Sequence, residues 1–405
     1  MIAFPDAVRR IIDACGPLGT ERIALLTSVG RVAAETIDAR EDLVPFARSA
    51  MDGFAVRTSD LERTPVELPV SGRLYADSGE TEHAPRTATA IATGAPIPRG
   101  ADAVLPIEDV ETHDGVVRIA RAVPPGSHVF PPGEDARAGE RIVGAGTRLR
   151  PSTLGLLAAA GHGEIAVYRK PRVAIVCTGD ELVPVDATPA YGQIRNSNAP
   201  VASTTIEEFG GLLVAATSCA DDRDALRRAF ADALWTADLV VTTGGASVGE
   251  RDLVKPILDE LGVQFIFRTI ALRPAKPAAF GALGERRIAV LPGNPSSAFI
   301  ALQLLVRPAL HALSGRTDAL PPLQPARLEG RVRAKPASTF ASYAQVRLVA
   351  GRLVARPLGN QCSALTRSAS DADGFILVPP GEQTFETGAT VDVDVFDWTN
   401  VGRSD

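Results

Sequence analysis

Three short turns carry the residues best suited to chemistry. They read Thr178-Gly179-Asp180-Glu181, then Thr243-Gly244-Gly245-Ala246-Ser247-Val248-Gly249-Glu250, then Pro292-Gly293-Asn294-Pro295-Ser296-Ser297. Each follows a compact apolar run, as a turn does on leaving a buried strand. Glycine lets backbone N–H groups approach an anion closely. Successive N–H groups form a concavity that suits phosphate or another tetrahedral oxyanion. Taken singly, each is a plain strand-to-helix turn in which Gly and Asn serve conformation. Three in one sheet, each with hydroxyl or acidic neighbours, make an anion site the better reading. Asp180, Glu181, Glu250 and Asp252 add hard oxygen ligands, which fits Mg²⁺ shared between protein and phosphate. Asp252 fits a helix cap equally well. The segment Arg273-Pro274-Ala275-Lys276-Pro277 sets two cations among prolines, a stiff electropositive clip. In the N-terminal half, Asp52, Thr93 and Asp135 each sit in a turn-forming sequence and, alone, mark a turn and little more. The scattered histidines form no Ser/His/Asp or Cys/His arrangement.

The chain that must position these groups has 405 residues, enough for about two or three domains. Its 45% hydrophobic and 22% charged content is that of an ordinary globular protein. Cys15, Cys177, Cys219 and Cys362 are scattered without a CxxC pair, against a zinc site or a disulfide framework. The net charge of −6 gives no basic footprint for nucleic acid. No apolar stretch approaches the ~18 residues of a membrane span. Asp6, Arg9 and Arg10 stand where a signal peptide needs an apolar run. The expectation is a soluble cytoplasmic protein with neither a nucleic-acid nor a membrane partner.

Pattern then places the elements. A helix opens at Pro5-Asp6 and stops at Gly16-Pro17. Short β-like runs separated by Pro and Gly fill 45–134, and Pro69 demotes the run 66–70 to an edge strand at best. From 172 to 313, strands near 172–177, 212–217, 238–242 and 288–291 alternate with helices near 199–209, 226–234, 253–261 and 297–313. That alternation implies parallel crossovers, hence a doubly wound α/β sheet with the three turns together at its carboxyl edge. The proline-rich stretch 316–325 reads as a linker to a small terminal β domain.

Taken together, these segments resemble the molybdenum insertase family: bacterial MoeA, the plant insertase E domain and the gephyrin E domain. The resemblance rests on SAMDGFAV at 49–56, ATGAPIPRGADAV at 92–104, GED at 133–135 and AIVCTGDEL at 174–182. It continues through GQIRNSN at 192–198, VTTGGASVGERD at 241–252, RPAKPAAFG at 273–281 and LPGNPSSA at 291–298. It implies a multidomain α/β fold. An N-terminal linking domain covers 1–45 plus 135–168, with an inserted small β domain at 46–134. A molybdopterin-binding α/β domain covers 169–317 and a C-terminal β-barrel-like domain 318–405.

The resemblance also implies a molybdenumtransferase that takes adenylated molybdopterin and molybdate and releases AMP with Mg²⁺. Such proteins are elongated homodimers whose cleft draws on both subunits, and contact with the molybdopterin adenylyltransferase is a further expectation. Carried over by motif, the catalytic set is Asp52, Thr93, Asp135, Glu181, Asp252 and Lys276. Substrate contacts fall to Thr178, Gly179, Asp180, Asn196, Ser197, Gly244, Gly245, Ser247, Gly249 and Arg273. Pro292, Gly293, Asn294, Ser296, Ser297 and Ser363 complete that set, and Asp180, Glu181 and Asp252 are the metal ligands. Three positions depart from the family pattern, one keeping its charge with a different geometry and two losing a cation, which makes the expected oxyanion site less cationic than usual. Arg273 replaces a lysine, Phe130 stands where an arginine is usual before GED, and Gln345 replaces the arginine of an FxR segment. A paralogue that binds pterin or a protein partner without turnover is the alternative; adenylyl transfer onto molybdopterin is a weaker third.

Overall fold

The computed structural model describes residues 1–245, 253–320, 322–399 and 401. Its central sheet runs in the order Leu212–Cys219, Arg172–Thr178, Leu239–Thr243, Arg286–Leu291, Ala279–Leu283, Gln264–Phe267. The first four strands are parallel, and the last two are antiparallel additions. Side-chain alternation along Arg172–Thr178 shows why both faces are covered. Val173, Ile175 and Cys177 pack with the helices Phe4–Ala14, Asn198–Glu208 and Pro295–Ala301. Ala174 and Val176 pack with Arg223–Thr236 and Val254–Glu260 on the other face. The doubly wound reading holds. Asp222 caps Arg223–Thr236 by accepting the Ala225 N–H at 2.8 Å.

The C-terminal strands Gln324–Leu328, Thr339–Val349, Arg352–Pro357, Gly374–Val378 and Thr390–Val395 close into a barrel, because Thr339–Val349 pairs with both Arg352–Pro357 and Gly374–Val378. One strand of this sheet comes from elsewhere. The apolar run 265–272 is two strands, and the second, Ile270–Arg273, leaves the α/β sheet. It pairs with Ile2–Ala3 on one side and with Thr339–Val349 on the other. The clip therefore begins at a three-way junction.

Thr20–Ala24 and Ile37–Asp38 pair with Glu164–Tyr168 and Arg141–Val143, so the chain departs and returns around a separate six-stranded sheet. Within that sheet Val66–Leu74 is not an edge strand: it lies between Ala88–Ile91 and Val116–Ile119. Pro69 is tolerated because the parallel pairing to Ala88–Ile91 starts only at Val70. Val70 donates its N–H toward Gly115, so the Pro69 nitrogen faces away from that strand, where no ladder bond is needed.

The helix expected over 297–313 runs from Pro295 to Leu313, broken by a π-helical turn at Leu302–Val306 just before Pro308. Proline cannot donate an N–H there, and the wider turn accommodates it. By length and composition this helix is apolar enough to span a membrane, which corrects the expectation of no such stretch. It is 94% buried inside the fold, as a core helix is.

Its last turn holds a buried histidine. Burial and the neighbouring Arg316 press the His311 pKa down to about 3. Nδ1 lies 3.2 Å from the Ala319 carbonyl, and Nε2 lies 3.1 Å from Arg316 Nη1. The unfolded chain binds a proton near pH 6.5 that the folded chain refuses, so stability rises with pH between about 3 and 6.5. Unfolding free energies from urea titration are expected to fall on acidification through this window, by up to about 1.4 kcal/mol per pH unit for this group. His311→Gln should flatten the slope. An unchanged slope would count against neutral His311.

Candidate functional site

A cleft of about 500 Å³ opens at the carboxyl ends of the parallel strands. From Arg172–Thr178 the chain crosses first to Leu212–Cys219 on one side and then to Leu239–Thr243 on the other. Ligands of open α/β sheets bind at such a reversal. Thr178 and Thr243 both line the cleft. So do Gly179, Glu181, Asn196, Ser197, Gly244, Gly245, Pro292, Gly293 and Asn294, drawn from all three expected turns.

Two glycines explain how the turns come so close. Gly244 has φ +97°, and a Cβ there would lie 2.3 Å from the Thr178 carbonyl oxygen. A Cβ on Gly293 would lie 3.3 Å from the Gly244 Cα. The Thr178 hydroxyl is buried at this contact and has no hydrogen-bond partner among the described residues. Such an unsatisfied group is costly unless something completes it, and here it borders a cleft.

The adjacent carboxylates separate. Asp180 accepts the Asp221 N–H at 2.9 Å and is absent from the cleft wall, whereas Glu181 lines it. Asn196 is likewise engaged: its amide donates to Ser218 at 2.9 Å and accepts from the Ala199 N–H at 3.1 Å. Ser296 and Ser297 are buried rather than cleft-lining. Ser296 ties the α/β domain to the barrel, accepting from the Tyr343 hydroxyl at 2.8 Å and donating its N–H to Ser363 at 3.1 Å. Asn294 also donates to the Ser363 hydroxyl at 3.3 Å, so Ser363 sits at the rim with Ala364 in the wall.

Pro277 of the clip lines the cleft, while Arg273 and Lys276 are exposed and lie outside its wall. The clip is fixed by the Ile270 N–H to the Lys276 carbonyl at 3.0 Å and by Lys255 to the Pro277 carbonyl at 3.2 Å. Ser247, Gly249 and Asp252 lie outside the described residues. Asp52 accepts the Thr93 N–H at 2.8 Å in the small β domain, and Asp135 is exposed; none of the three lines this cleft.

The structure adds groups that the sequence reading passed over. Arg195 lines the cleft and has no carboxylate partner among the described residues. Its signal in the sequence is GQIRNSN, between the turns, where Asn196 and Ser197 are the predicted contacts. Asp221 also lines the cleft, and Asn198 donates to the Gly293 carbonyl at 2.8 Å. Two of the missing cations have neighbours: the Arg48 guanidinium lies 5.3 Å over the Phe130 ring, and Arg356 stands directly opposite Gln345 across the strand pair.

Among the described residues no three His, Cys, Asp or Glu side chains form a metal-binding group. Magnesium, however, is commonly held by one or two carboxylates plus substrate phosphate and water. Glu181 and Asp221 in the cleft wall fit that pattern.

Three family descriptions match in chain order: the MoeA N-terminal region (domain I and II) over 2–161, a probable molybdopterin binding domain over 174–312, and the MoeA C-terminal region (domain IV) over 324–396. A molybdopterin molybdenumtransferase of Bacillus subtilis is 33% identical over 402 residues, covering 97% of this chain and 93% of that protein.

The chain belongs to the MoeA family.

A second molybdopterin molybdenumtransferase, from Haemophilus influenzae, is 37% identical over 302 residues, 74% of each chain. The crystal structure of a molybdopterin biosynthesis MoeA protein from Pyrococcus horikosii superposes with a TM-score of 0.81 at 31% identity, covering 98% of this chain and 99% of that one. The MoeA fold, with its α/β domain and barrel-like C-terminal sheet, is thus present over nearly the whole length.

Proposed function

We infer that this chain is a molybdopterin molybdenumtransferase, inserting molybdate into adenylated molybdopterin with release of AMP. Its MoeA relatives are named molybdopterin molybdenumtransferases. The observation that carries the reading is the cleft at the strand reversal. Three glycine turns, the unpartnered Thr178 hydroxyl and Arg195 meet there beside Glu181 and Asp221.

The chemistry is positional and electrostatic. Backbone N–H groups of the turns and the Thr178 hydroxyl hold the phosphate end of the pterin. Lys276 and Arg273, projecting from the braced clip at the rim, attract molybdate and neutralise its charge as it nears the dithiolene. Arg195 faces the phosphate linkage, where negative charge grows as AMP departs. Glu181, with Asp221, would hold a magnesium ion, which supplies charge neutralisation on the phosphate oxygens when bound. Purified protein given adenylated molybdopterin, molybdate and Mg²⁺ is expected to release AMP, seen by chromatography. Tight pterin binding with no AMP released would defeat the reading.

The working unit in this reading is a homodimer, and a cytoplasmic location fits the free state of all four cysteines. Contact with the adenylyltransferase that prepares the substrate belongs to the same reading. Asp52, Thr93 and Asp135 stay away from the cleft of their own chain, which supports their serving the cleft of a second copy. Mixing then gives a sharp test. Asp52→Ala and Lys276→Ala subunits, each inactive alone, are expected to recover about a quarter of parental AMP release after equimolar reassembly. Half the dimers are mixed, and each mixed dimer has one intact site. No recovery, with mixed dimers verified by mass, would place both residues in one chain's site.

A further inference from the structure

We propose that one end of the C-terminal barrel is a second oxyanion-binding site, separate from the cleft and suited to a tetrahedral oxyanion. The proposal does not depend on the molybdenumtransferase reading. A cavity of about 440 Å³ opens where Gln324–Leu328 and Arg352–Pro357 end and Thr339–Val349 begins. It shares no wall residue with the cleft. Arg331, Arg333, Lys335 and Arg356 line it, and none of the four has a carboxylate partner among the described residues. The one carboxylate in its wall, Glu329, is already bound by Arg347 at 2.6 Å.

Four cations gathered around one opening without a carboxylate partner among the described residues create a local positive potential that attracts an anion. They are also not a by-product of general basicity, since the chain carries a net charge of −6. A second observation points the same way. Ser342 lines this cavity at only 1% exposure, and its hydroxyl has no hydrogen-bond partner among the described residues. A buried hydroxyl and guanidinium forks lining one cavity make a donor set that a tetrahedral oxyanion takes.

The wall is rigid. Gln361 accepts the Tyr343 N–H at 3.0 Å and donates to the Tyr343 and Leu358 carbonyls at 3.0 and 2.8 Å, pinning the 358–361 loop to the strand. Lys335 is steadied 5.3 Å over the Phe340 ring. A phosphomonoester end shares this chemistry with a free oxyanion.

The test uses crystals of the full chain soaked in molybdate and read by anomalous scattering, with calorimetry using inorganic phosphate. A molybdenum peak among Arg331, Arg333 and Ser342 is expected. Arg331→Ala with Arg333→Ala should abolish that peak and weaken the phosphate affinity assigned to it at least about tenfold, leaving any cleft peak in place. Ser342→Ala removes a hydroxyl with no partner, so it should weaken binding severalfold without lowering the melting temperature. Peaks confined to the cleft, no peak at all, or affinity indifferent to all three changes would overturn the proposal. AMP added to the molybdate soak separates the sources: displacement of the mouth peak assigns a phosphomonoester end, and persistence assigns a free oxyanion.

Discussion

Glu181→Gln is expected to leave the fold intact and cut AMP release about 100-fold or more. Glu181 lies in the cleft wall, so its loss removes charge where the proposed chemistry occurs and nothing from the core. Losing one preorganised electrostatic partner of a transition state costs about 3 kcal/mol, which is about 100-fold in rate. Its neighbour separates activity from architecture. Asp180→Ala deprives the Asp221 N–H of its acceptor and should lower stability, whereas Asp180→Asn keeps an acceptor and should not. Melting temperature and AMP release, measured on all three variants, check both statements. Full turnover by Glu181→Gln would remove this carboxylate from the mechanism.

The largest stability effect is expected at Asp238, where Leu239–Thr243 begins. Its carboxylate is only 3% exposed, and Arg169 grips it with two bonds of 2.6 and 2.8 Å. Arg286 adds a third at 3.1 Å, and the Arg172 N–H a fourth at 2.8 Å. Burial pushes the carboxyl up, but these partners more than offset it and hold it below the ordinary carboxylate range. Removing one side of a buried pair costs 3–5 kcal/mol where the other is left dry. Arg169 and Arg286 are 36% and 40% exposed and keep access to water, so about 3 kcal/mol is expected for Asp238→Ala. Urea unfolding should show it as a lower midpoint at unchanged slope. Because the folded carboxyl titrates below the unfolded one, its contribution is full above the ordinary carboxylate range and is lost as pH falls through the folded value. A shift under about 1 kcal/mol would mean the cluster is a surface pair in disguise.

The parts of the fold legible in sequence were those written locally. Apolar runs ending in glycine turns marked Arg172–Thr178, Leu239–Thr243 and Arg286–Leu291. Long-range pairing was not legible. Nothing in 265–272 says that its second half leaves one sheet for another, because the partners Ile2–Ala3 and Thr339–Val349 are remote in sequence. Pro69 misled for a related reason, since its tolerance depends on where a neighbouring strand begins. At the site, composition could not tell Asp180 from Glu181. One faces a backbone N–H and the other the cleft, a difference of direction that adjacent letters do not encode. Arg195 went unnoticed because an exposed arginine beside a turn is ordinary until a cleft is seen around it.

The pairing of Ile2 with Ile270 bears on how the chain is made. The first strand and the helix behind it leave the ribosome long before their partners exist. Phe4–Ala14, which buries Ala7, Val8 and Ile11, must wait with that apolar stripe uncovered until Pro295–Leu313 has been synthesised. Nascent chains are most vulnerable to aggregation in such an interval. The segment that holds this strand and helix is therefore where chaperone dependence should concentrate.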